Sequence, residues 1–160
     1  MRFREIMEAG AMPIYYFAYG MLTDPDNMEG AELIGPATLK NFQFELFAHA
    51  NVHPAAGTNV TGVLWSIDRN LLGVLDQIEG YPHYYDRKTV PVFANGKRYE
   101  AEVYTMTPSS REHSQGRATS KSYVNSLVRG YTNAGVPLDQ ISTAYNRDQP
   151  KDIDKQQHNR

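Results

Sequence analysis

The sequence contains no cysteine among its 160 residues. This absence excludes disulfide bonds, thiolate zinc sites and a cysteine nucleophile. An excess of basic residues is missing too, because 16 Lys and Arg stand against 18 Asp and Glu, for a formal net charge of −2. Lys and Arg are scattered along the chain without a dense cluster. We therefore expect no nucleic-acid partner, since nucleic-acid binding domains usually carry a basic patch.

Long apolar runs are also missing. None approaches the roughly 20 residues of a membrane-spanning helix, so we expect no membrane partner. The first eight residues mix acids and bases around Phe3 and Ile6. They lack the continuous apolar region of a secretory signal, which favours a cytoplasmic protein. Tryptophan occurs once but tyrosine 11 times, and tyrosine suits a pocket for a small polar ligand as well as a protein interface.

Short β-prone runs separated by turn residues occupy the first two thirds of the chain. Strands are predicted at 14–19, 37–50, 60–67, 89–93 and 98–106. Asn95-Gly96 lies between the last two runs and predicts a tight hairpin, because both residues accept the positive φ of a two-residue turn. Residues 51–57 and 108–116 are predicted to be loops, since they are rich in polar and turn-forming residues.

Apolar residues at helical spacing predict three helices, at 68–79, around 123–135 and at 137–145. About five strands in mostly sequential antiparallel order, with helices inserted and appended, indicate an α+β fold. We expect a small mixed or antiparallel β-barrel with flanking helices.

The chain divides into three predicted segments. Residues 1–13 form an N-terminal arm or short helix, and residues 14–147 form the folded domain. Residues 148–160 are charged, rich in Gln and almost without apolar side chains, so they are predicted to be a disordered tail.

Glu79 ends the helix predicted at 68–79, where the helix dipole presents partial negative charge. Gly80 follows as the residue that tolerates a left-handed turn. Beside Tyr81 and Tyr85, the ionised form of this carboxyl should be disfavoured and its pKa raised, as a general acid/base near neutral pH requires. A lone glutamate at a helix end is more often a solvated surface residue, so this segment alone leaves both interpretations open.

Two segments together resemble the γ-glutamylcyclotransferase-like family. YFAYGML at 16–22 is similar to the family's Tyr-Gly signature, and LDQIEGYP at 75–82, followed by Tyr85 and Arg87, is similar to the segment with its catalytic glutamate. The order of the two motifs and of the predicted strands also agrees. The resemblance covers roughly residues 14–145.

The resemblance implies a six- or seven-stranded barrel with a cavity at one end. It implies a reaction in which the α-amine of a small γ-glutamyl compound attacks its own γ-amide, which releases 5-oxoproline and an amine or amino acid. Glu79 would be the general acid/base, and backbone N–H groups of the Tyr-Gly turn would hold the α-carboxylate. The implied substrate-binding residues are Tyr19, Gly20, Met21, Leu22 and Tyr85. No metal or other cofactor is implied, and the oligomeric state stays undetermined.

Met21 and Leu22 stand where enzymes of the family often have Ser and Asn. The inferred contacts are made by main-chain amides, so the anchor can persist while the pocket loses polar side chains. This departure leaves room for a non-catalytic module that binds a small molecule or a peptide terminus in the same cavity. A third interpretation is an interaction protein that recruits a partner through 1–13 and 148–160.

Other reactive residue types give weaker patterns. His49 and His53 are four residues apart, but they fall at a strand end and in a loop without a third ligand, so no metal site is predicted. No Gly-x-Ser-x-Gly motif or glycine-rich phosphate loop is present. His83 is expected in a surface loop, and Tyr15 and Tyr104 are candidates for either the pocket or the core.

Overall fold

The computed structural model describes residues 12–150. Within this range five strands close into a barrel in the order β1-β3-β2-β4-β5. The strands are β1 (Ile14–Ala18), β2 (Glu32–Phe47), β3 (His49–Ile67), β4 (Tyr85–Ala94) and β5 (Lys97–Met106). Neighbouring strands are antiparallel except β1 and β5, which close the barrel as a parallel pair. The predicted α+β fold with a mixed barrel is therefore confirmed, with five strands in residues 12–150 instead of six or seven.

Four α-helices flank the barrel in the described part of the chain. They are α1 (Arg69–Ile78), α2 (Pro108–Ser114), α3 (Lys121–Ala134) and α4 (Asp139–Asp148). Two short 3-10 helices, Met21–Thr23 and Pro25–Asn27, follow β1. None of the helices within residues 12–150 is long and apolar enough to cross a membrane.

Both ends of α1 lie close to where the capping residues in the sequence predict them. The side chain of Asp68 accepts a hydrogen bond from the Leu71 N–H at 2.7 Å, which caps the start of the helix. After the end, Gly80 adopts the left-handed conformation with φ of 66°. The amphipathic pattern turns Leu72 and Leu75 into the core. The capping residues and the two buried leucines together fix the position of Glu79 at the C-terminal end of α1.

The hydrophobic core is built by the barrel strands together with two of the helices. Its fully buried side chains come from all five strands and from α1 and α3, and include Phe17, Leu39, Leu46, Val63, Leu64, Leu75, Val92, Val103, Leu127 and Tyr131. Burial of this apolar surface is the main favourable contribution to folding.

The loop predicted at 51–57 is wrong, because β3 runs through that segment. The hairpin of β2 and β3 turns at Ala48, with Phe47 opposite His49. Pro54 lies opposite Phe42, next to a shift in the pairing register. It has the parity of Ala50, whose N–H donates to the Tyr123 hydroxyl and not to β2, so the missing N–H of the proline breaks no ladder hydrogen bond.

The loop predicted at 108–116 is also wrong, since Pro108–Ser114 forms α2. Thr107 caps this helix by accepting a hydrogen bond from the Ser110 N–H at 3.2 Å, and Pro108 occupies the first turn, where its missing N–H has no cost. The buried face of α2 consists of Ser110 and Ser114. Because this buried face is made of serines, the sequence of α2 has no apolar periodicity that would predict a helix.

The predicted arm and tail fall mainly on residues 1–11 and 151–160, which lie outside the described residues. Helix α4 continues through Asp148, the first residue of the predicted tail. The division at 13 and 148 stays a prediction.

Candidate active site

A cavity of about 300 Å³ lies where the end of β1, the end of α1 and the start of α3 meet. It is lined by Tyr16, Tyr19, Gly20, Met21, Leu22, His49, Ala50, Ile78, Glu79, Tyr84, Tyr85, Tyr104 and Tyr123. All six residues that the sequence singled out for the site thus line one cavity. Its size suits a small molecule.

Glu79 supplies the carboxylate of this cavity. The residue is half-buried, and this partial loss of water raises the pKa of its carboxyl from the ordinary value of 4.5 to about 7. Among residues 12–150 no side chain or backbone group forms a hydrogen bond with the carboxylate; the backbone N–H of Glu79 donates to Leu75 O at 2.9 Å. A carboxyl with this pKa populates both protonation states near neutral pH, so it can accept a proton and return it.

A network of charged side chains fixes the end of α1 that carries Glu79. Asp76, one turn earlier, forms an ion pair with Arg87 of β4 and accepts a hydrogen bond from the Tyr104 hydroxyl at 2.6 Å. Arg87 also pairs with Glu102 of β5 at 3.2 Å. The helix end is therefore tied to two barrel strands, which limits how far the Glu79 carboxylate can move.

The turn after β1 lines the same cavity and contains backbone N–H groups that a ligand could use. Met21 and Leu22 begin the first 3-10 helix, and the first N–H groups of a helix have no partner within it. Among residues 12–150 neither N–H donates a hydrogen bond. The next one, from Thr23, donates to Gly20 O at 3.1 Å and closes the turn. Two consecutive free amides can bind an anion such as a carboxylate.

Helix α3 holds that turn in place. The Tyr131 hydroxyl donates to Tyr19 O at 2.6 Å, and the Thr23 hydroxyl donates to Gly20 O at 2.8 Å. Gly130 packs so closely that a Cβ atom there would lie 2.6 Å from the Thr23 hydroxyl oxygen. The position of the amides is thus set by the fold and not by the loop alone.

Six of the 13 residues that line the cavity are tyrosines. The Tyr85 hydroxyl donates to Ala50 O at 2.6 Å, and the Tyr123 hydroxyl accepts from Ala50 N–H at 3.0 Å. Burial raises the pKa of both phenols, that of Tyr123 to about 12, and the nearby Glu79 carboxylate adds to the effect. Both phenols therefore stay neutral. The Tyr85 proton is used on Ala50 O, whereas the Tyr123 hydroxyl accepts from Ala50 and keeps its proton to donate to a ligand.

The sequence did not identify Tyr16, Tyr84 or Tyr123 as lining residues. Tyr123 lies on the face of α3 that was assigned to the core. Its position in the first turn of the helix was the feature of the sequence that could have indicated a place at the cavity. Tyr104, named as a candidate, does line the cavity. Tyr15, the other candidate, lies on the opposite face of β1 from Tyr16, because successive side chains of a strand alternate between its faces. Its ring packs edge-on against that of Tyr99, with 4.9 Å between the ring centroids.

The histidines at 49, 53 and 83 have different surroundings. Within residues 12–150 no cluster of three or more His, Asp or Glu side chains could hold a metal ion. His49 lines the cavity, and its Nδ1 lies 3.1 Å from the Tyr84 hydroxyl oxygen, whereas His53 and His83 are exposed.

Comparison with solved structures places this fold among known ones. The chain is 22% identical to a protein described as "Gamma-glutamyl cyclotransferase", with a TM-score of 0.69 over 89% of this chain and 91% of that one. It is 23% identical to the uncharacterised protein loc79017 from Homo sapiens, with a TM-score of 0.71 over 89% and 92%. It is 21% identical to YkqA from Bacillus subtilis, with a TM-score of 0.74 over 92% of this chain and 60% of that one. Identities this low show the fold alone.

The sequence itself gives the family. Comparison with curated protein sequences yields no significant match. The model of the family "Gamma-glutamyl cyclotransferase, AIG2-like" matches residues 16–125, a range that holds the Tyr-Gly turn, Glu79 and the whole barrel from Tyr16 onward. The chain belongs to the gamma-glutamyl cyclotransferase, AIG2-like family.

Proposed function

We propose that the protein is a cyclotransferase that releases 5-oxoproline from a small γ-glutamyl compound, with Glu79 as general acid/base. One observation carries the proposal: Glu79, with its pKa raised to about 7, shares a cavity with the free amides of the turn after β1. A γ-glutamyl group carries an α-ammonium and an α-carboxylate. Its cyclisation therefore requires a residue that transfers a proton and backbone donors that bind the carboxylate, both in one small cavity. The proposed reaction needs no metal or organic cofactor.

The reaction begins with the substrate held at its α-carboxylate by the N–H groups of Met21 and Leu22. The ionised Glu79 takes a proton from the α-ammonium, and the resulting amine attacks the γ-carbonyl carbon. The bond between that carbon and the amide nitrogen then breaks as protonated Glu79 gives its proton to the leaving nitrogen. Ionised Glu79 takes the second proton from the attacking nitrogen, which becomes the amide N–H of 5-oxoproline, and passes it to the released amine, which leaves as an ammonium. Holding amine and carbonyl in contact can lower the barrier of such an intramolecular step by about 7–11 kcal/mol.

The test is 5-oxoproline release from a panel of γ-glutamyl amino acids and γ-glutamyl amides. Glu79→Gln keeps the shape of the side chain but cannot carry the proton, so we expect turnover to fall by about 10²–10⁴-fold. Glu100→Gln is the matched control, because Glu100 is an exposed carboxylate of β5 that pairs with Arg98 outside the cavity. Equal turnover by wild type and Glu79→Gln would contradict the role of Glu79.

A second candidate is a module that binds γ-glutamyl compounds or peptide termini without turnover. Met21 and Leu22 favour it, because they give the cavity apolar side chains where enzymes of the family often have polar ones. Binding of a γ-glutamyl ligand with no 5-oxoproline formed would support this function over the enzyme. A cytoplasmic location and the absence of a nucleic-acid or membrane partner stay predictions from the sequence.

A further inference from the structure

One tyrosine hydroxyl in the cavity has no partner in the described fold. Tyr16 of β1 is 4% exposed and lines the cavity. Among residues 12–150 no group forms a hydrogen bond with its hydroxyl, whereas every fully enclosed side-chain nitrogen or oxygen atom in that range has a partner. The Tyr16 hydroxyl therefore borders the space of the cavity, where a ligand can accept its hydrogen bond. A buried donor that the fold does not use calls for a functional reason.

The other tyrosines of the wall use their hydroxyls within the fold. The Tyr19 and Tyr85 hydroxyls donate to backbone carbonyl oxygens at 2.5 Å and 2.6 Å. The Tyr104 hydroxyl donates to a carboxylate of α1 at 2.6 Å. The Tyr123 hydroxyl keeps its proton, but its oxygen is held by a backbone N–H of β3 at 3.0 Å. Tyr16 thus differs from these four in having its whole hydroxyl available to a ligand.

The surrounding strands hold Tyr16 in one position. Its backbone lies where β1 is paired on both sides, opposite Trp65 of β3 and Glu102 of β5. Its ring packs edge-on against that of Tyr104, with 5.9 Å between the ring centroids. A donor that is fixed before the substrate binds needs no reorganisation during the reaction, and this makes its hydrogen bond to a developing charge effective.

The proposed reaction develops negative charge close to this hydroxyl. Glu79 exchanges protons with the two nitrogens that are bonded to the γ-carbonyl carbon, so that carbon must lie near the Glu79 carboxylate. Burial raises the pKa of the Tyr16 phenol well above its usual value, and the nearby Glu79 carboxylate raises it further. Attack on the carbon moves negative charge onto the carbonyl oxygen. In the part of the lining that the structure describes, there is no lysine or arginine to compensate it.

We propose that Tyr16 is a catalytic residue whose hydroxyl donates a hydrogen bond to the γ-carbonyl oxygen while that oxygen is an oxyanion. The oxygen takes the π electron pair of the carbonyl when the α-nitrogen bonds to the carbon. It returns the pair when the bond from the carbon to the amide nitrogen breaks. The phenol keeps its proton throughout, and Glu79 carries all the protons that are transferred. This inference rests on the proposed function and adds the group that stabilises the tetrahedral intermediate.

Tyr16→Phe tests the inference, because it removes the hydroxyl and keeps the ring. With the γ-glutamyl compound that the wild type turns over fastest, we expect kcat for 5-oxoproline release to fall by about 10²–10³-fold. KM should stay within about twofold, since the hydrogen bond gains its strength in the transition state. The midpoint of urea unfolding should not fall, because no hydrogen bond within residues 12–150 is lost. Tyr15→Phe is the matched control on the opposite face of β1 and should keep the wild-type kcat.

The outcomes separate this inference from the proposed function. Wild-type kcat in Tyr16→Phe, or a higher KM with unchanged kcat, would overturn the catalytic role of Tyr16. So would a lower unfolding midpoint that accounts for the lost activity, because the hydroxyl would then act on stability. In each case the loss of turnover in Glu79→Gln would leave the proposed function intact. No 5-oxoproline from the wild type with any γ-glutamyl compound would overturn both.

Discussion

Glu79 makes the stability of the fold depend on pH. Its pKa is about 7 in the folded protein and 4.5 ordinarily, so between these values the folded state holds a proton that the unfolded state has lost. The free energy of unfolding should therefore be unaffected by Glu79 below about pH 4.5, fall as the pH rises, and level off above about 7. The total loss for this group is up to about 3 kcal/mol.

Urea unfolding of wild type and Glu79→Gln at pH 5 and pH 8 measures this contribution. Other groups titrate in the same range, but they contribute equally to both proteins and cancel in the difference. We expect Glu79→Gln to gain stability relative to wild type as the pH rises, while Glu100→Gln follows the wild type. Parallel pH profiles for wild type and Glu79→Gln would mean that the carboxyl is not desolvated in the folded state.

The sequence identified Glu79 and the residues of the turn after β1, but it missed several of the residues that form the cavity wall. Glu79 and the residues at 19–22 were found because caps, a turn and a family motif mark them. Tyr16 was missed because β1 is apolar on both faces, so its sequence does not reveal which side faces inward. Tyr123 was missed because a residue at core spacing on a helix can end at a cavity as easily as in the core. The roles of these residues stay predictions.

At the scale of elements, two glycines in helices should respond oppositely to alanine. Gly130 of α3 is buried against the first 3-10 helix, and a Cβ there would lie 2.6 Å from the Thr23 hydroxyl oxygen and 3.2 Å from Asp24 Cβ. Gly73 of α1 is exposed, and a Cβ there would meet no neighbouring element within 4 Å. The sequence context of both is helical, so only their packing distinguishes them.

We expect Gly130→Ala to lower the free energy of unfolding by about 1–3 kcal/mol, because α3 must move away from the turn. Gly73→Ala should raise it by up to about 1 kcal/mol through helix propensity. Chemical unfolding of both variants beside wild type measures the difference. If Gly130→Ala were as stable as Gly73→Ala, α3 would not hold the turn by close packing.

The elements that the sequence failed to predict share a physical cause. Helix α2 buries serine hydroxyls, and the Ser110 hydroxyl donates to Tyr84 O at 2.5 Å. Strand β3 passes through a proline-containing segment because Pro54 falls at a position of the register where β2 needs no N–H. In both cases tertiary contacts override a local pattern that favours a loop, whereas α1 and the β4–β5 hairpin were predicted because their signals are local.

At the scale of the whole molecule, closure of the barrel assembles the site. The cavity combines residues from β1, α1, β5 and α3, and β1 meets β5 in a short parallel pairing of Tyr15 with Ala101 and Tyr16 with Glu102. Strand patterns indicated a mixed or antiparallel barrel but not the strand order, because pairing between distant strands depends on contacts that no short window of sequence contains.

The C-terminal end of α4 completes one edge of the barrel. The strand β4 pairs with β2 at Thr38, so the edge of β2 near Leu46 needs other partners. The Asp148 carboxylate accepts from Leu46 N–H at 2.9 Å, and the Gln149 amide donates to Leu46 O at 3.0 Å. The same Gln149 accepts from Thr119 N–H at 2.6 Å. Side chains at the end of a helix thus satisfy the backbone of a buried strand position.

Truncation at two points tests where the folded unit ends. A chain of residues 1–147 loses these hydrogen bonds of Asp148 and Gln149, and we expect its free energy of unfolding to fall by about 2–4 kcal/mol, since the Leu46 backbone is left without partners. A chain of residues 1–150 keeps them and should unfold with the full-length protein, because 151–160 is too polar to contribute a core. Urea unfolding of the three chains measures this. Loss of stability already at 150 would place the boundary within the predicted tail, and a stable 1–147 chain would show that the Leu46 contacts are dispensable.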